Sequence, residues 1–112
     1  MVIYIDVQTI GRLSIKSLNA RLEELGGHAS FVYKSKVKRG AYTKHIWHHK
    51  RYPLGGIEIG ESEDHKLIYA SAKSAYYEER LASSWIEWII RHFHKRVSKI
   101  ELTLAYAKVG KD

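Results

Sequence analysis

The sequence contains no cysteine and very few other chemically labile residues. The lack of cysteine excludes disulfide bonds and thiolate metal sites within these 112 residues. Gln8, Asn19 and Met1 are each the only residue of their type. Scarce Asn, Gln, Cys and Met beside abundant Lys and Glu is typical of hyperthermophile proteins, so we expect a thermophilic source.

Long hydrophobic runs are also missing. None approaches the ~20 residues that a membrane-spanning helix requires. The first six residues lack the basic start and small-residue cleavage site of a signal peptide. We therefore expect a cytoplasmic protein with no membrane partner. A chain of this length with 45% hydrophobic residues suits one domain over residues 1–112.

Acidic residues are absent from one long segment. None lies between Glu24 and Glu58, and the net charge of +7 arises there, because the rest of the chain has equal numbers of basic and acidic residues. The Lys and Arg residues of this segment are Lys34, Lys36, Lys38, Arg39, Lys44, Lys50 and Arg51. A cluster of like charges raises the potential over one surface and is typical of a polyanion-binding site.

Helical and strand patterns follow the order β-α-β-β-β-β-α-β. Ser14 and Gly26 bound a first helix, and an apolar stripe predicts a second from Ser74 to Ser98. Alternating residues predict strands at 2–7, 29–39, 41–50, 57–61, 66–70 and 100–109. This order predicts an α+β fold with an antiparallel sheet of about five to six strands and both helices on one face. The wide apolar stripe of the second helix favours a homodimer.

Residues 31–52 are predicted to form a hairpin, called the basic hairpin below, that binds nucleic acid. Strict alternation would place Phe31 and Tyr33 on one face and Lys34, Lys36 and Lys38 on the other, with the lysines roughly 6.6–7 Å apart. That spacing is close to the phosphate spacing of an extended strand. The predicted phosphate contacts are Lys34, Lys36, Lys38, Arg39, Lys44, Lys50 and Arg51.

Aromatic residues interleave with these charges, and Tyr42 and Trp47 are the predicted stacking partners for unpaired bases. We therefore expect DNA or RNA binding with little base specificity, and single strands are favoured. An alternative explanation is that Tyr33, Ile46 and Trp47 belong to the core and that the lysines only protect an edge strand.

Two enzyme-like constellations give weaker signals. Asp6, Glu58 and Glu61 could together hold Mg²⁺ in a metal-dependent nuclease. His45, His48 and His49 are close in sequence, but strand alternation separates them and neighbouring cations oppose a metal ion. We predict no catalytic residue, metal or cofactor. A third possibility is a structural or interaction protein whose acidic partner binds the basic hairpin.

From Ser14 to His92 the order helix, three or more strands, helix resembles that of the double-stranded-RNA-binding domain. The residues at 70–75, Ala-Ser-Ala-Lys-Ser-Ala, resemble the start of that family's last helix. That family has a cluster of lysines there, whereas this sequence has only Lys73. The resemblance concerns topology and assigns no residue.

A second basic group lies near the end of the second predicted helix, at Arg91, His92, His94, Lys95, Arg96 and Lys99. The dipole of a helix favours cations at its C-terminus, which explains the group without a ligand. If the group lay beside the basic hairpin, it would extend the same surface.

Overall fold

A computed structural model describes residues 1–105, which form a six-stranded sheet and two α-helices. The strands are β1 (Val2–Thr9), β2 (Phe31–Arg39), β3 (Tyr42–His49), β4 (Gly56–Glu61), β5 (Leu67–Lys73) and β6 (Val97–Ala105). The helices are α1 (Ile15–Leu25) and α2 (Glu78–Phe93), and each is followed by one 3₁₀ turn. The predicted α+β class and order of elements are confirmed.

The strand order in the sheet is β2-β3-β4-β5-β1-β6, and all neighbours are antiparallel. Both helices pack on one side, called the helix face, which carries Ile3 and Ile5 of β1. The opposite side, called the open face, carries Tyr4 and Asp6 and is covered by neither α1 nor α2. Successive residues of a strand alternate between the two faces, and residues paired across a ladder share a face. These two rules assign every other strand residue to the helix face or the open face.

Helix α1 begins and ends where its sequence signals predict. The Ser14 hydroxyl accepts from the Ser17 N–H at 3.3 Å, while Leu13 and Leu18 are buried around the first turn. Glu61 of β4 adds a tertiary cap, because its carboxylate accepts from the Ile15 N–H at 3.1 Å. Gly26 ends the helix with a φ of 52°, in the left-handed region that glycine tolerates.

Helix α2 is shorter than predicted at both ends. Strand β5 continues to Lys73, and the Ser74 hydroxyl accepts from the N–H groups of Tyr76 and Tyr77, forming a turn before the helix. After Phe93 the chain leaves the helix and enters β6 at Val97. The segment at 70–73 that resembled the start of a helix in the double-stranded-RNA-binding domain is therefore strand.

The core lies between the helix face and the helices. Helix α2 buries Leu81, Ala82, Trp85, Trp88 and Ile89 there, whereas Ile90 remains 48% exposed. Most of the apolar surface that suggested a homodimer is thus covered within the chain, and the homodimer stays a prediction. Among residues 1–105, no helix is long and apolar enough to cross a membrane.

The two edges of the sheet differ in character. Edge strand β2 carries exposed lysines, while edge strand β6 carries Leu102 and Leu104 on the helix face, with 51% and 50% of their surface exposed. The predicted strand at 100–109 begins earlier, at Val97, and its last positions, including Tyr106, lie outside the described residues.

Candidate nucleic-acid interface

A β-bulge at Lys34 changes the predicted faces of β2. Tyr33 pairs with Trp47 and Ser35 pairs with Ile46, so Lys34 is the extra residue in the ladder. Because one extra residue reverses the alternation that follows it, Lys36 and Lys38 lie on the same face as Phe31 and Tyr33. The prediction that these lysines face away from Tyr33 was wrong. The bulge carries no glycine, so composition did not signal it.

The cations of the basic hairpin still gather along one edge of the molecule. Lys34, Lys36 and Lys38 are exposed on β2, and Lys50 and Arg51 are exposed at the base of the same hairpin. We call these residues the cationic edge, which follows a strand of roughly 30 Å. Within residues 1–105 none of them forms an ion pair with a carboxylate. The Lys50 ammonium donates to the Gly27 carbonyl at 3.1 Å.

Arg39 and Lys44 lie on the open face and already have partners. The Arg39 guanidinium binds both carboxylate oxygens of Glu58, at 3.0 and 3.4 Å. This hydrogen bonding holds the pKa of Glu58 below its usual range. The Lys44 ammonium lies 4.1 Å from the centroid of the Tyr69 ring, and its partial burial lowers its pKa. Both predicted phosphate contacts are therefore on a different face from Lys36 and Lys38.

Trp47, a predicted stacking residue, is part of the core. Its side chain is fully buried, and its ring N–H donates to the Asn19 amide oxygen at 2.9 Å. Its ring meets Trp88 of α2 edge to face, with 5.0 Å between centroids. The alternative explanation given above is thus correct for Trp47. Alternation in the sequence correctly grouped Trp47 with His45 and His49 on one face of β3. It did not indicate that the helices cover this face.

Tyr42, the other predicted stacking residue, is 61% exposed at the tip of the hairpin, on the open face. Tyr33 is also exposed, and its hydroxyl lies 3.2 Å from His45 Nδ1 on the neighbouring strand. A base can reach the ring of Tyr42 without a rearrangement of the core.

The acidic residues proposed for a nuclease are not brought together. Asp6 and Glu58 lie on the open face, with β5 between their strands. Glu61 lies on the helix face, where it pairs with Ile68 and contacts His65 Nδ1 at 3.2 Å. Within the described part of the chain, no three His, Asp or Glu side chains are placed to hold a metal ion.

The histidines of β3 are separated as alternation predicts. His45 and His49 lie on the helix face and His48 on the open face. His49 is buried, and its Nδ1 accepts from the Arg51 N–H at 2.9 Å. Nε2 must then carry the ring hydrogen and donate it to the Ser84 hydroxyl at 3.1 Å. Burial, and next the charge of Arg51, lower the pKa of His49, so its neutral form is part of the fold.

The members of the second basic group lie in two places. Arg91 lines a cleft with Ser30 and Phe31, at the start of β2. The Ile10 N–H donates to the Arg96 carbonyl, which places Arg96 and the following Lys99 of β6 beside β1. Five strand spacings, or roughly 24 Å, separate β6 from β2. Arg96 and Lys99 are therefore distant from the cationic edge, whereas Arg91 lies near its base.

A depression on the open face was not predicted from the sequence. It has a volume of about 390 Å³. Its lining consists of Tyr4, Asp6, Lys44, Tyr69, Ala70, Ser71 and Thr103. Alternation in β1 indicates that Tyr4 and Asp6 share a face, but only the strand order places Tyr69 and Thr103 beside them.

No model of a known protein family matches this chain, and no curated protein or solved structure matches it. The charge of the cationic edge and the chemistry of the open face are therefore the guides to function.

Proposed function

We propose that the protein binds DNA or RNA with little base specificity, through phosphate contacts along the cationic edge. The observation that carries this proposal is the row of exposed Lys and Arg side chains without carboxylate partners in residues 1–105. Phosphate binding by such side chains releases condensed counterions, which favours association at low salt. A cytoplasmic location, where nucleic acid is accessible, belongs to the same proposal.

The spacing of the lysines supports binding to a strand. Lys36 and Lys38 share a face and lie two residues apart, or roughly 6.6–7 Å along the strand. Tyr42 adds an exposed ring at the tip, and stacking on such a ring requires an unpaired base. A duplex offers this edge only phosphates, so single strands are the favoured ligand.

Edge protection explains the same lysines differently, since lysine on an edge strand discourages pairing with another strand. The two roles are compatible, because an ammonium group that repels a second strand is equally accessible to a phosphate. The two explanations differ in one prediction. Edge protection alone predicts no salt-dependent affinity for nucleic acid.

The test is fluorescence anisotropy with labelled single- and double-stranded DNA and RNA, between about 50 and 200 mM salt. The Lys36→Glu, Lys38→Glu double variant removes two phosphate contacts and should bind more weakly. The slope of log affinity against log salt should fall by about 1.4 for a single strand, which is roughly 0.7 for each lost contact.

The matched control is Lys95→Glu with Lys99→Glu, which makes the same charge change near the β6 edge of the sheet. Its salt slope should stay close to that of the native protein. Equal losses in both variants would show that net charge alone drives binding. No binding to any of the four ligands at low salt would overturn the proposal and favour an acidic protein partner. Metal-dependent cleavage on a denaturing gel would instead favour a nuclease.

A further inference from the structure

We infer that the depression on the open face is a pocket for one guanine base. This inference rests on the proposed function, because it gives the bound strand a base-selective contact away from the cationic edge. The pocket volume of about 390 Å³ lies at the lower end of the roughly 300–1,000 Å³ range of small-molecule sites.

The ladder register assembles the pocket from neighbouring strands. Asp6 of β1 pairs with Tyr69 of β5, and Tyr4 pairs with Ser71 on one side and with Thr103 of β6 on the other. Direct partners in an antiparallel ladder project from the same face. The two tyrosines therefore flank the carboxylate, and the two hydroxyls line the same depression.

Gly60 explains why the depression is open. Gly60 pairs with Tyr69, and a Cβ atom at Gly60 would lie 2.5 Å from Tyr69 Cε2. The Tyr69 ring therefore lies across the backbone of β4, with the Lys44 ammonium of β3 4.1 Å from its centroid. Because the ring leans towards β3, it leaves the space above Asp6 free.

The donors of guanine match the acceptors of Asp6. An ionised carboxylate accepts hydrogen bonds at two oxygens. Within residues 1–105, no side chain or backbone group donates to the Asp6 carboxylate. Guanine presents two adjacent donors, N1–H and the N2 amino group. Adenine and cytosine present an amino group beside an acceptor nitrogen, and thymine and uracil present one N–H between two carbonyl oxygens. Only guanine can therefore satisfy both carboxylate oxygens without placing an acceptor against them.

The surrounding charges favour a base over a phosphate in the pocket. Glu101 pairs with Asp6 across β1 and β6 and also binds Lys99 at 3.6 Å. Glu101 lies outside the lining, but the Asp6 carboxylate within it repels a phosphate group. Lys44 at the rim supplies a cation for the phosphate that adjoins the bound base.

The experiment compares T-rich single-stranded oligonucleotides that differ only at one central position, which is G, A, C or T. The native protein should bind the G oligonucleotide roughly tenfold more tightly than the others, as expected of a bidentate base contact. Asp6→Asn keeps the size of the side chain but replaces one acceptor by a donor. It should abolish the preference for G, so that the G and T oligonucleotides bind with equal affinity.

Glu101→Gln is the matched control, because it neutralises the neighbouring carboxylate and should keep the preference. A competition arm uses guanosine and adenosine monophosphates to separate a free nucleotide from a base within a strand. Binding without a preference for G, or a preference that survives Asp6→Asn, overturns the pocket but leaves the proposed function intact. Asp6-dependent binding of guanosine monophosphate alone, with no oligonucleotide bound, supports the pocket and overturns the proposed function.

Discussion

Trp47 and Tyr42 lie on the same strand, and we expect opposite effects when each is replaced by alanine. Trp47 is fully buried against Trp88 and donates to Asn19, so Trp47→Ala leaves a cavity and an amide without its partner. Truncation of a buried Trp costs about 3–5 kcal/mol. The lost hydrogen bond is part of that cost and contributes about 1 kcal/mol. Against a total stability of about 5–15 kcal/mol, this is a large loss.

Tyr42→Ala should leave stability almost unchanged, within about 0.5 kcal/mol, because the side chain is largely exposed. If Tyr42 stacks on a base, the same change should weaken single-strand binding by about 1–3 kcal/mol. Trp47→Phe is a more conservative substitution, because it keeps an aromatic ring in the core. It should cost at least about 1 kcal/mol of stability through the lost hydrogen bond and leave binding intact.

The assay pairs urea unfolding followed by circular dichroism with anisotropy on a single-stranded oligonucleotide. Stability is read from the unfolding midpoint and slope, and affinity is measured well below the onset of unfolding. The reasoning would be refuted if Trp47→Phe kept its stability but lost affinity, since that result requires an exposed stacking role for Trp47. A strongly destabilised Tyr42→Ala would refute the assignment of Tyr42 to the surface.

Two further predictions concern stability. The pKa of His49 is lowered in the folded state, so as pH falls the unfolded chain takes up a proton on this ring before the folded protein does. The stability that the neutral ring contributes is therefore fully present above the unfolded pKa and is lost as pH falls below it. Urea midpoints should therefore decrease from neutral to mildly acidic pH, and His49→Gln should flatten this decrease; an unchanged pH dependence would exclude His49 as its source. Gly55→Ala should destabilise by more than about 1 kcal/mol, because Gly55 has a φ of 98° and a Cβ there would collide with the Lys73 carbonyl. Gly27→Ala, where a Cβ meets nothing within 4 Å, is the control in thermal unfolding, and equal melting temperatures would contradict the argument.

Features that depend on neighbouring residues were predictable from the sequence. The Ser14 cap and the stop at Gly26 are encoded within a few residues, and each lies where its local signal predicts. Periodicity likewise predicted the type and order of the elements, because burial of one face imposes a repeat of about 2 residues on strands and 3.6 on helices.

Features that depend on distant partners were not predictable in the same way. The turn at Ser74 and the start of β6 at Val97 shorten α2, because the sheet competes with the helix for the same residues. The bulge at Lys34 depends on how β2 aligns with β3, which alternation within β2 does not reveal.

The candidate site also has features that depend on neighbouring residues and features that depend on distant partners. The cationic segment was evident from composition, but the exposure of Lys34, Lys36 and Lys38 was known only from the structure. The contacts of Arg39 with Glu58 and of Lys44 with Tyr69 join residues from different hairpins, so they required the strand order. The position of Trp47 required knowledge of which face the helices cover.

The unequal edges of the sheet limit how copies of this protein could grow into larger assemblies. Endless addition of strands, as in a fibril, needs two edges that both accept a neighbour. Here the β2 edge presents lysines, which discourage the addition of another strand, whereas the β6 edge presents Leu102 and Leu104. Pairing of two copies through β6 would leave only lysine-bearing edges at both ends of the joined sheet. Such an assembly terminates itself after one step, so the arrangement permits a pair and opposes a polymer.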